Sequence, residues 1–390
     1  MGIEENEERL KSYVERGMGL NNIEVKRINR NNLLMHILQT DQFSKRSAAT
    51  ALQLSIPTVT QCLNDLINMG LAKEEGTMAS IGGRRSVGYR CIKDARTAVG
   101  IDITRNHVNL VILDLAMNII YSRRVKMSLH DTEASYQELK SLIGRTIEES
   151  GVDREHILGI GLSLPAIIGE DGRKINGMHE QMEISYDIYN IMKDWFPFPL
   201  HIENDANSAG FAEIKKRGFV NNAVYFFVSP SVGGAVIING KSVYGQTRRT
   251  GEFGHMTLVP DGRLCYCGRK GCVNAYCTTE LLSDLTDGNL KEFFEKLQDG
   301  DESCRSVWED YLDSLALALH NLLSAFDMEI IIGGYLGQYI APYRPDLEKR
   351  MKKLDPYLKN IDFIQPAILQ YEASAIGAAS IFVEKYLSAV

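Results

Sequence analysis

The segment "HMTLVPDGRLCYCGRKGC" (residues 255–272) concentrates one histidine and three cysteines in a short stretch of chain. The candidate ligands are His255, Cys265, Cys267 and Cys272, and three glycines permit the tight turns between them. Four nitrogen and sulfur ligands at this spacing are typical of tetrahedral zinc, and a Cys₃His set leaves no coordination position open. The alternative is that these are reduced cysteines packed as small hydrophobic groups, but the surrounding Gly, Arg and Lys residues favour a metal. The sequence therefore predicts a structural zinc site.

The residues around this segment resemble the signature of a known family. "GEFGH" (251–255) followed by "CYCGRKGC" (265–272) resembles the Glu-x-Gly-His and Cys-x-Cys-Gly-x-x-Gly-Cys signature of the ROK family (repressors, open reading frames and sugar kinases). The resemblance extends to four further segments: "GIGLSLP" (159–165), "IENDANSAGFAE" (202–213), "IIIGG" (330–334) and "ASAIGAASIF" (373–382). It covers residues 97–390, and the zinc motif is its most specific part.

The chain from Thr97 onward predicts an α/β body. Short apolar runs typical of buried strands alternate with amphipathic helical patterns, and the pattern occurs twice. Two such halves with a cleft between them fit a two-lobed fold. The resemblance implies that this fold is the actin-like ATPase fold of the sugar kinases. We therefore expect residues 96–390 to form a sugar-binding body of two α/β lobes, with the zinc motif at 255–272.

The resemblance also implies which residues contact a sugar. In the family, the Asn-Asp pair of the "ENDAN" motif, here Asn204 and Asp205, and the Glu and His of "GEFGH", here Glu252 and His255, hydrogen-bond sugar hydroxyls. His255 would use one ring nitrogen for zinc and present the other to the sugar. The kinases have a sugar-contacting glutamate where this chain has Asn274. Asp205 is the candidate general base if any kinase chemistry survives.

Both phosphate-binding loops depart from the kinase pattern. The first loop of the family reads Asp-x-Gly-Gly-Thr, but "GIDITRNH" (100–107) places Thr104 and Arg105 where the glycines belong. The second usually reads Gly-Thr-Gly-x-Gly-Gly, but here it is "SPSVGG" (229–234), in which Pro230 has no backbone N–H to donate. Phosphoryl transfer depends on positioning and charge neutralisation around the phosphates. We therefore expect a sugar pocket retained for sensing, with no catalytic residues and a degraded ATP site.

Residues 23–95 predict a winged helix-turn-helix, preceded by an extension (1–22) to which the sequence assigns no role. Three short helical patterns, the first over residues 29–41, are followed by a hairpin around Gly-Gly-Arg-Arg. In this arrangement the N-terminal residues of the second paired helix read base edges, while nearby basic residues contact phosphates. The candidate DNA contacts are Lys45, Arg46, Thr58, Thr60, Gln61, Asn64 and, at the wing tip, Arg84 and Arg85. The alternative is a small helical domain with a solvated basic face.

Charge and composition support separate partners for the two parts. The whole chain has a formal net charge of −7, yet residues 24–93 contain ten Lys and Arg against five Asp and Glu. The charged N-terminus has no signal-peptide pattern, and no uncharged run reads as a membrane span. Seven cysteines, three of them clustered, argue for a reduced cytoplasmic compartment.

The sequence thus predicts a regulator of transcription, most simply a repressor, that binds operator DNA and responds to a sugar or sugar derivative. One reading helix per chain predicts a symmetric dimer or larger homo-oligomer. Two alternatives stay open. The protein is an active ATP-dependent sugar kinase with an attached DNA-binding domain, or the zinc segment is itself a nucleic-acid-binding knuckle.

Overall fold

The computed structural model describes residues 22–78, 86–179, 182–218 and 220–390. Its first unit contains three helices and a two-stranded antiparallel hairpin. These elements are α1 (Asn22–Leu38), α2 (Lys45–Ala51), α3 (Ile56–Asn68), β1 (Ala72–Met78) and β2 (Ser86–Cys91). Their order is that of a winged helix-turn-helix, as the sequence predicts. The predicted wing residues Arg84 and Arg85 lie outside the described residues, as do residues 1–21.

Local hydrogen bonds start the two paired helices at the predicted positions. The Ser44 side chain accepts from the Ser47 backbone N–H, and the Ser47 hydroxyl returns a bond to Ser44, which forms a capping box. Ser55 likewise caps α3 by accepting from the Thr58 N–H. Gly70 ends this helical segment with a φ of 72°, a conformation that glycine adopts without steric cost. Each such cap contributes about 1 kcal/mol to helix stability.

The first helix is longer than the sequence predicts. It begins at Asn22, seven residues before the predicted start at Asn29, and it ends at Leu38. The predicted apolar face is correct, because Leu33, Leu34 and Ile37 are fully buried. The additional turns carry no comparable apolar stripe, and they are held by polar contacts to the C-terminal helix, as described below.

The first lobe of the body is a five-stranded mixed sheet with the order β5-β4-β3-β6-β9. Its strands are β3 (Thr97–Ile103), β4 (His107–Leu113), β5 (Ile119–Lys126), β6 (Ile157–Leu164) and β9 (Leu200–Asn204). The lobe is completed by helices α4 (Glu133–Ser150) and α5 (Ile188–Met192) and by a small hairpin, β7 (Ala166–Ile168) and β8 (Ile175–Met178). Every residue of β3 is buried, which explains why this strand is mostly apolar, although it includes the buried Asp102.

The second lobe repeats this arrangement with the sheet order β12-β11-β10-β13-β14. Its strands are β10 (Ala223–Val228), β11 (Val232–Ile238), β12 (Lys241–Ser242), β13 (Glu329–Gly333) and β14 (Ile364–Pro366). Its helices are α7 (Asn274–Cys277), α8 (Glu280–Ser283), α9 (Leu290–Gln298), α10 (Glu302–Phe326), α11 (Gly334–Gly337) and α12 (Arg344–Leu354). In both lobes three antiparallel strands are followed by two strands added in parallel. This duplicated α/β topology confirms the predicted two-lobed, actin-like body.

Two helices, α6 (Asp205–Arg217) and α13 (Ala373–Ala389), pack against each other at the centre of the body. Small residues allow this close packing. A Cβ added to Gly100 of β3 would lie 2.0 Å from the Ala375 carbonyl oxygen, and one added to Gly377 would lie 1.8 Å from that of Ser208. At the start of α13, the Ser374 hydroxyl donates to the Asp205 carbonyl oxygen at 3.2 Å. The motif "ASAIGAASIF" therefore brings α13 directly against the "ENDAN" helix.

The other end of α13 holds the winged helix-turn-helix. Arg27 donates to the Ser388 carbonyl oxygen at 3.1 Å, and Arg30 Nε donates to that of Val390 at 2.8 Å. Asn31 donates to the Leu387 carbonyl oxygen. These donors satisfy carbonyls that the last turn of a helix leaves without intrahelical partners, and the two cations complement its dipole. One helix thus joins the "ENDAN" motif to the N-terminal unit.

Within the described part of the chain, no helix has both the length and the apolar character needed to cross a bilayer.

Candidate functional site

The predicted metal ligands converge on one point. The ligand atoms of His255, Cys265, Cys267 and Cys272 all lie within 4.8 Å of one another. The Sγ atoms of Cys267 and Cys272 are 3.8 Å apart, and Cys265 Sγ is 3.9 Å from His255 Nδ1. Zn–S bonds of about 2.3 Å at a tetrahedral angle give edges of about 3.8 Å, so both distances fit a zinc tetrahedron. The cluster can therefore hold a metal ion.

The loop that carries the cluster also supplies a compensating charge. The Cys265 N–H donates to the Arg269 carbonyl oxygen at 2.8 Å, which closes the turn between the cysteines. Burial opposes ionisation of Cys267, but hydrogen bonds from the Arg269 backbone and side chain outweigh it and lower the thiol pKa to about 7. A Zn²⁺ ion with three thiolates carries a net charge of −1, which the Arg269 guanidinium offsets. The local chemistry thus favours the thiolate form of Cys267, whereas burial raises the pKa of Cys265 and of Cys272, whose thiolates a bound cation would have to stabilise.

A cavity of about 390 Å³ lies beside the cluster, and we call it the first cavity. One wall is the junction of β9 and α6, where Asn204 caps the helix and Asp205 is its first residue. The opposite wall is the turn that carries Glu252 and His255. The structure therefore brings four of the five predicted sugar-contacting residues together, although they come from segments about 50 positions apart in the sequence.

Asp205 has an unusual electrostatic environment. Its Oδ1 accepts from the Ala206 N–H at 2.8 Å and from Asn204 Nδ2 at 3.2 Å. Burial, followed by repulsion from the carboxylates of Asp102 and Glu252, raises its pKa to about 8. Burial also raises the pKa of Glu252. At neutral pH the cavity thus offers a protonated carboxyl that can donate as well as accept a hydrogen bond.

His255 faces the cluster and the cavity with different ring nitrogens. Nδ1 points to Cys265 Sγ, while Nε2 lies 3.0 Å from the Tyr266 hydroxyl and 3.8 Å from a Glu252 carboxylate oxygen. Burial, followed by nearby arginine charges, lowers its pKa, which keeps the ring neutral, as a metal ligand must be. This arrangement has the geometry that the sequence predicts for a histidine shared between metal and ligand.

The side chain of Asn274 packs against β11. It is 7% exposed, and among the described residues it does not line the first cavity. Its Oδ1 accepts from the Val232 N–H at 2.8 Å, which ties the segment after the metal cluster to β11. The Asn274 amide oxygen is thus used in packing, and a contact between Asn274 and a ligand stays a prediction.

Several residues of the first cavity escaped sequence reasoning. Glu203, 4% exposed, accepts from the Tyr244 hydroxyl at 2.9 Å and lies 3.8 Å from an Arg248 nitrogen. Arg248 also stacks over the Tyr244 ring at 3.7 Å. Tyr266 and His179 form a second group, with ring centroids 4.1 Å apart. The only sequence signal for these residues was adjacency, since Glu203 precedes the "ND" pair and Tyr266 lies between two ligand cysteines.

A second cavity of about 410 Å³ lies on the other side of Asp205. It contains both altered phosphate loops, including Thr104, Arg105 and Pro230. The guanidinium of Arg124 lines this cavity and lies 4.7 Å from the ring centre of Tyr371 and 5.7 Å from that of Tyr335.

The second cavity also contains an ion pair and a buried carboxylate that is hydrogen-bonded within the protein. Arg105 pairs with Glu280 of the opposite lobe at 3.6 Å. Asp102, 3% exposed, accepts from Asn109 and Ser163, and burial raises its pKa to about 6. Several charged side chains of this cavity are thus paired with other groups of the protein.

The described residues among the predicted DNA contacts are all exposed or partly exposed to solvent. Gln61 and Asn64 are exposed on α3, while Thr58 and Thr60 are partly exposed near its start. Arg46 is exposed on α2, and Lys45 lies over the Tyr89 ring at 5.5 Å. The Thr58 hydroxyl is 2.8 Å from that of Ser55, within the helix cap. The unit therefore presents the polar side chains of α3 to solvent, where a DNA groove could receive them.

The body has two lobes, an actin-like topology and a Cys₃His cluster beside a polar cavity, which together define a sugar-kinase-like fold. A winged helix-turn-helix, a unit of the DNA-binding type, precedes this body. The model of the ROK family matches residues 98–385, and the chain belongs to this family.

Some similar proteins match nearly the whole chain, whereas others match only its body. The xylose repressor of Bacillus spizizenii is 27% identical over 379 residues, which cover 94% of this chain and 97% of that protein. The crystal structure of a ROK family transcriptional regulator, a homologue of the Escherichia coli MLC protein, has a TM-score of 0.72 at 17% identity and covers 93% of this chain and 97% of its own. The ROK hexokinase of Thermus thermophilus has a TM-score of 0.60 at 24% identity, with coverage of 74% and 99%. The chain is thus similar to repressors along nearly its whole length and to a kinase along its body.

Proposed function

We propose that this protein is a sugar-responsive transcriptional repressor that binds operator DNA as a homodimer and holds a structural zinc ion. The observation that carries the proposal is the contrast between the two cavities. The first keeps a polar wall of Asn204, Asp205, Glu252 and His255, whereas the second is lined by both altered phosphate loops and by the cations of Arg105 and Arg124. The similarity to a xylose repressor over both parts of the chain supports the same conclusion.

The first cavity suits a monosaccharide. Its volume of about 390 Å³ is in the range of small-molecule pockets. Asn204 and Asp205 supply an amide and a carboxyl from one side, while Glu252 and His255 supply a carboxyl and an imidazole from the other. Such groups match a ring of hydroxyls, each of which donates and accepts. Zinc at the cysteine cluster would fix the His255 ring and so hold its Nε2 toward the ligand.

DNA binding is assigned to the N-terminal unit. Gln61 and Asn64 are exposed on α3 and have the amide groups that pair with base edges. Lys45 and Arg46 at the start of α2 have the charge for phosphates. Each chain has one such reading helix, and two-fold symmetric dimers are the usual way to place two of them on a near-palindromic site. Operator DNA as the partner requires a protein of the cytoplasm.

Helix α13 offers a physical route between the two functions. It contacts the Asp205 backbone at one end and anchors Arg27, Arg30 and Asn31 of α1 at the other. A ligand that changes the position of α6 would change the position of α13 and with it the N-terminal unit. Coupling of this kind requires the sugar to bind one arrangement more tightly than the other. Arg30→Gln should therefore weaken the effect of sugar on DNA affinity more than it weakens DNA affinity itself.

The test is a DNA-binding measurement with and without sugar. A duplex selected from a random library by the zinc-loaded protein is labelled and titrated by fluorescence anisotropy, in the presence of D-xylose, D-glucose or no sugar. We expect salt-dependent binding that one sugar weakens at least about tenfold, since allosteric coupling is typically 1–3 kcal/mol.

Matched variants separate DNA reading from general effects. Gln61→Ala removes an α3 side chain and should cost about 1–3 kcal/mol of discrimination between duplexes. Gln137→Ala, on the exposed face of α4, should behave as wild type. Sugar-dependent release of ADP from ATP, with no effect of sugar on DNA binding, would contradict the proposal and establish a kinase.

A further inference from the structure

Tyr266 lines the first cavity from within the loop that carries the candidate metal ligands. It lies between Cys265 and Cys267, two of the four candidate metal ligands, so a bound ion fixes the main chain on both sides of it. The Cys265 N–H and carbonyl oxygen are also bonded within the loop, to Arg269 and Gly268. Movement of the Tyr266 backbone would therefore require the metal site to rearrange.

The ring of Tyr266 closes the cavity together with His179. The two ring centroids are 4.1 Å apart with an interplanar angle of 43°, which is van der Waals contact. His179 comes from the opposite lobe, where its N–H donates to the Pro165 carbonyl oxygen at 3.1 Å. Because the two rings touch, no ligand group can enter between them, and they form a continuous wall.

The hydroxyl of Tyr266 also takes a position that a ligand would otherwise use. It lies 3.0 Å from His255 Nε2, the ring nitrogen that faces the cavity. A bulky ligand substituent at this end would have to displace both the Tyr266 hydroxyl and its ring. A small group, or a bare hydroxyl beside the phenol, requires no such displacement.

We propose that Tyr266, backed by His179, is the specificity-determining residue of the first cavity, and that it restricts the ligand to an unsubstituted monosaccharide by excluding N-acylated sugars. This inference rests on the proposed function of the cavity as a sugar site. The ring supplies the exclusion, and the hydroxyl supplies an internal partner for His255.

The experiment compares sugar affinities of full-length, zinc-loaded variants by isothermal titration calorimetry. The probes are D-xylose, D-glucose and N-acetyl-D-glucosamine. Wild type should prefer one of the two unsubstituted sugars over the N-acetylated sugar by at least about tenfold, the scale that the loss of a methylene-sized space produces. Tyr266→Ala should reduce this ratio by a similar factor, chiefly through tighter binding of N-acetyl-D-glucosamine.

Two further variants identify which part of Tyr266 acts. Tyr266→Phe keeps the ring and should keep the ratio, although its absolute affinities change because His255 loses a partner. Tyr276→Phe is the matched control: its hydroxyl accepts from the Arg263 N–H at 2.7 Å in the same loop, and among the described residues it does not line the cavity. It should behave as wild type.

The outcomes separate the inference from the function on which it rests. If wild type binds none of the three sugars, the proposed function fails. If wild type binds an unsubstituted sugar but Tyr266→Ala keeps its ratio, or if wild type prefers the N-acetylated sugar, only the role of Tyr266 is overturned. Zinc content is measured for each variant. If Tyr266→Ala loses zinc, His179→Ala, which leaves the metal loop intact, must reduce the ratio by itself.

Discussion

The two cavities on either side of Asp205 have similar volumes but different contents. The first is bordered by carboxyl, amide and imidazole groups that face its interior. In the second, Arg124 lies against two tyrosine rings and Arg105 pairs with Glu280 across the lobes. The two cavities thus differ in the groups that line them rather than in size.

This difference shows that a body of sugar-kinase topology does not imply a kinase. Phosphoryl transfer needs donors and cations arranged around the phosphates, whereas recognition of a sugar needs only the wall that contacts it. The cation of Arg124 attracts the carboxylate of Asp102 in the second cavity and so provides positive charge there without a bound metal or nucleotide. The cavity contents, rather than the fold, therefore carry the functional argument.

The largest effect should follow from removal of the metal cluster, which supports only the first cavity. Cys272→Ser deletes a thiolate ligand, and the zinc content should fall from about one per chain to a small fraction, with loss of sugar binding, because structural zinc sites contribute several kcal/mol to local stability. Metal analysis and calorimetric sugar titration measure the two effects. Cys304→Ser is the control, since Cys304 is buried on α10 and takes no part in the cluster. Unchanged sugar affinity in metal-free Cys272→Ser would refute the link between cluster and cavity.

The next effect concerns Asp205, which borders both cavities. Asp205→Asn should weaken sugar binding about 2- to 10-fold, because it replaces a protonated carboxyl by an amide and so disturbs neutral hydrogen bonds worth about 0.5–1.5 kcal/mol each. Calorimetric titration at pH 7 measures the loss. Asp171→Asn is the control, since that carboxylate bonds only its own turn. Equal affinities for Asp205→Asn and wild type would remove this residue from the binding wall.

The same variant should change the pH dependence of stability. The pKa of Asp205 is raised to about 8, so the folded protein holds a proton that the unfolded chain has released above about pH 4. The free energy of unfolding therefore falls as pH rises toward 8. Asparagine cannot ionise, so the variant should gain about 2–3 kcal/mol relative to wild type between pH 6 and pH 8.5. Denaturant titrations of zinc-loaded protein measure this difference, and parallel pH profiles would contradict the raised pKa.

Sequence reasoning identified the His/Cys cluster and four residues that line the first cavity because these residues are close in sequence or belong to short motifs. The four ligands lie within one segment, and the ligand set itself specifies a tetrahedral site. Asn204 and Asp205 occupy one turn, as do Glu252 and His255. Ligand-type residues at fixed short spacing can thus be recognised without a structure.

The missed features depend on contacts between distant segments. Arg30 bonds a carbonyl 360 positions away, so nothing near α1 in the sequence indicates its early start. Tyr266 and His179 come from different lobes, and the Asn274 amide oxygen accepts from the Val232 N–H of β11. Arg124 lies on β5, a strand without any motif, and its side chain lines the second cavity. Tertiary packing decides each of these positions.

The smallest effect should come from opening the second cavity. Arg105→Ala breaks an ion pair whose two side chains are 53% and 40% exposed, so unfolding free energy should change by less than about 1 kcal/mol. Affinity for sugar should stay as in wild type, and Mg·ATP should produce no binding heat, even in an Arg105→Ala/Arg124→Ala double variant. The physical reason is that the Thr104 side chain still crowds the phosphate path, while Pro230 has no backbone N–H to donate to a phosphate. Tight ATP binding by the double variant would mean that the arginines alone fill an otherwise competent nucleotide site, and the contrast between the two cavities would then rest on charge rather than on the loops.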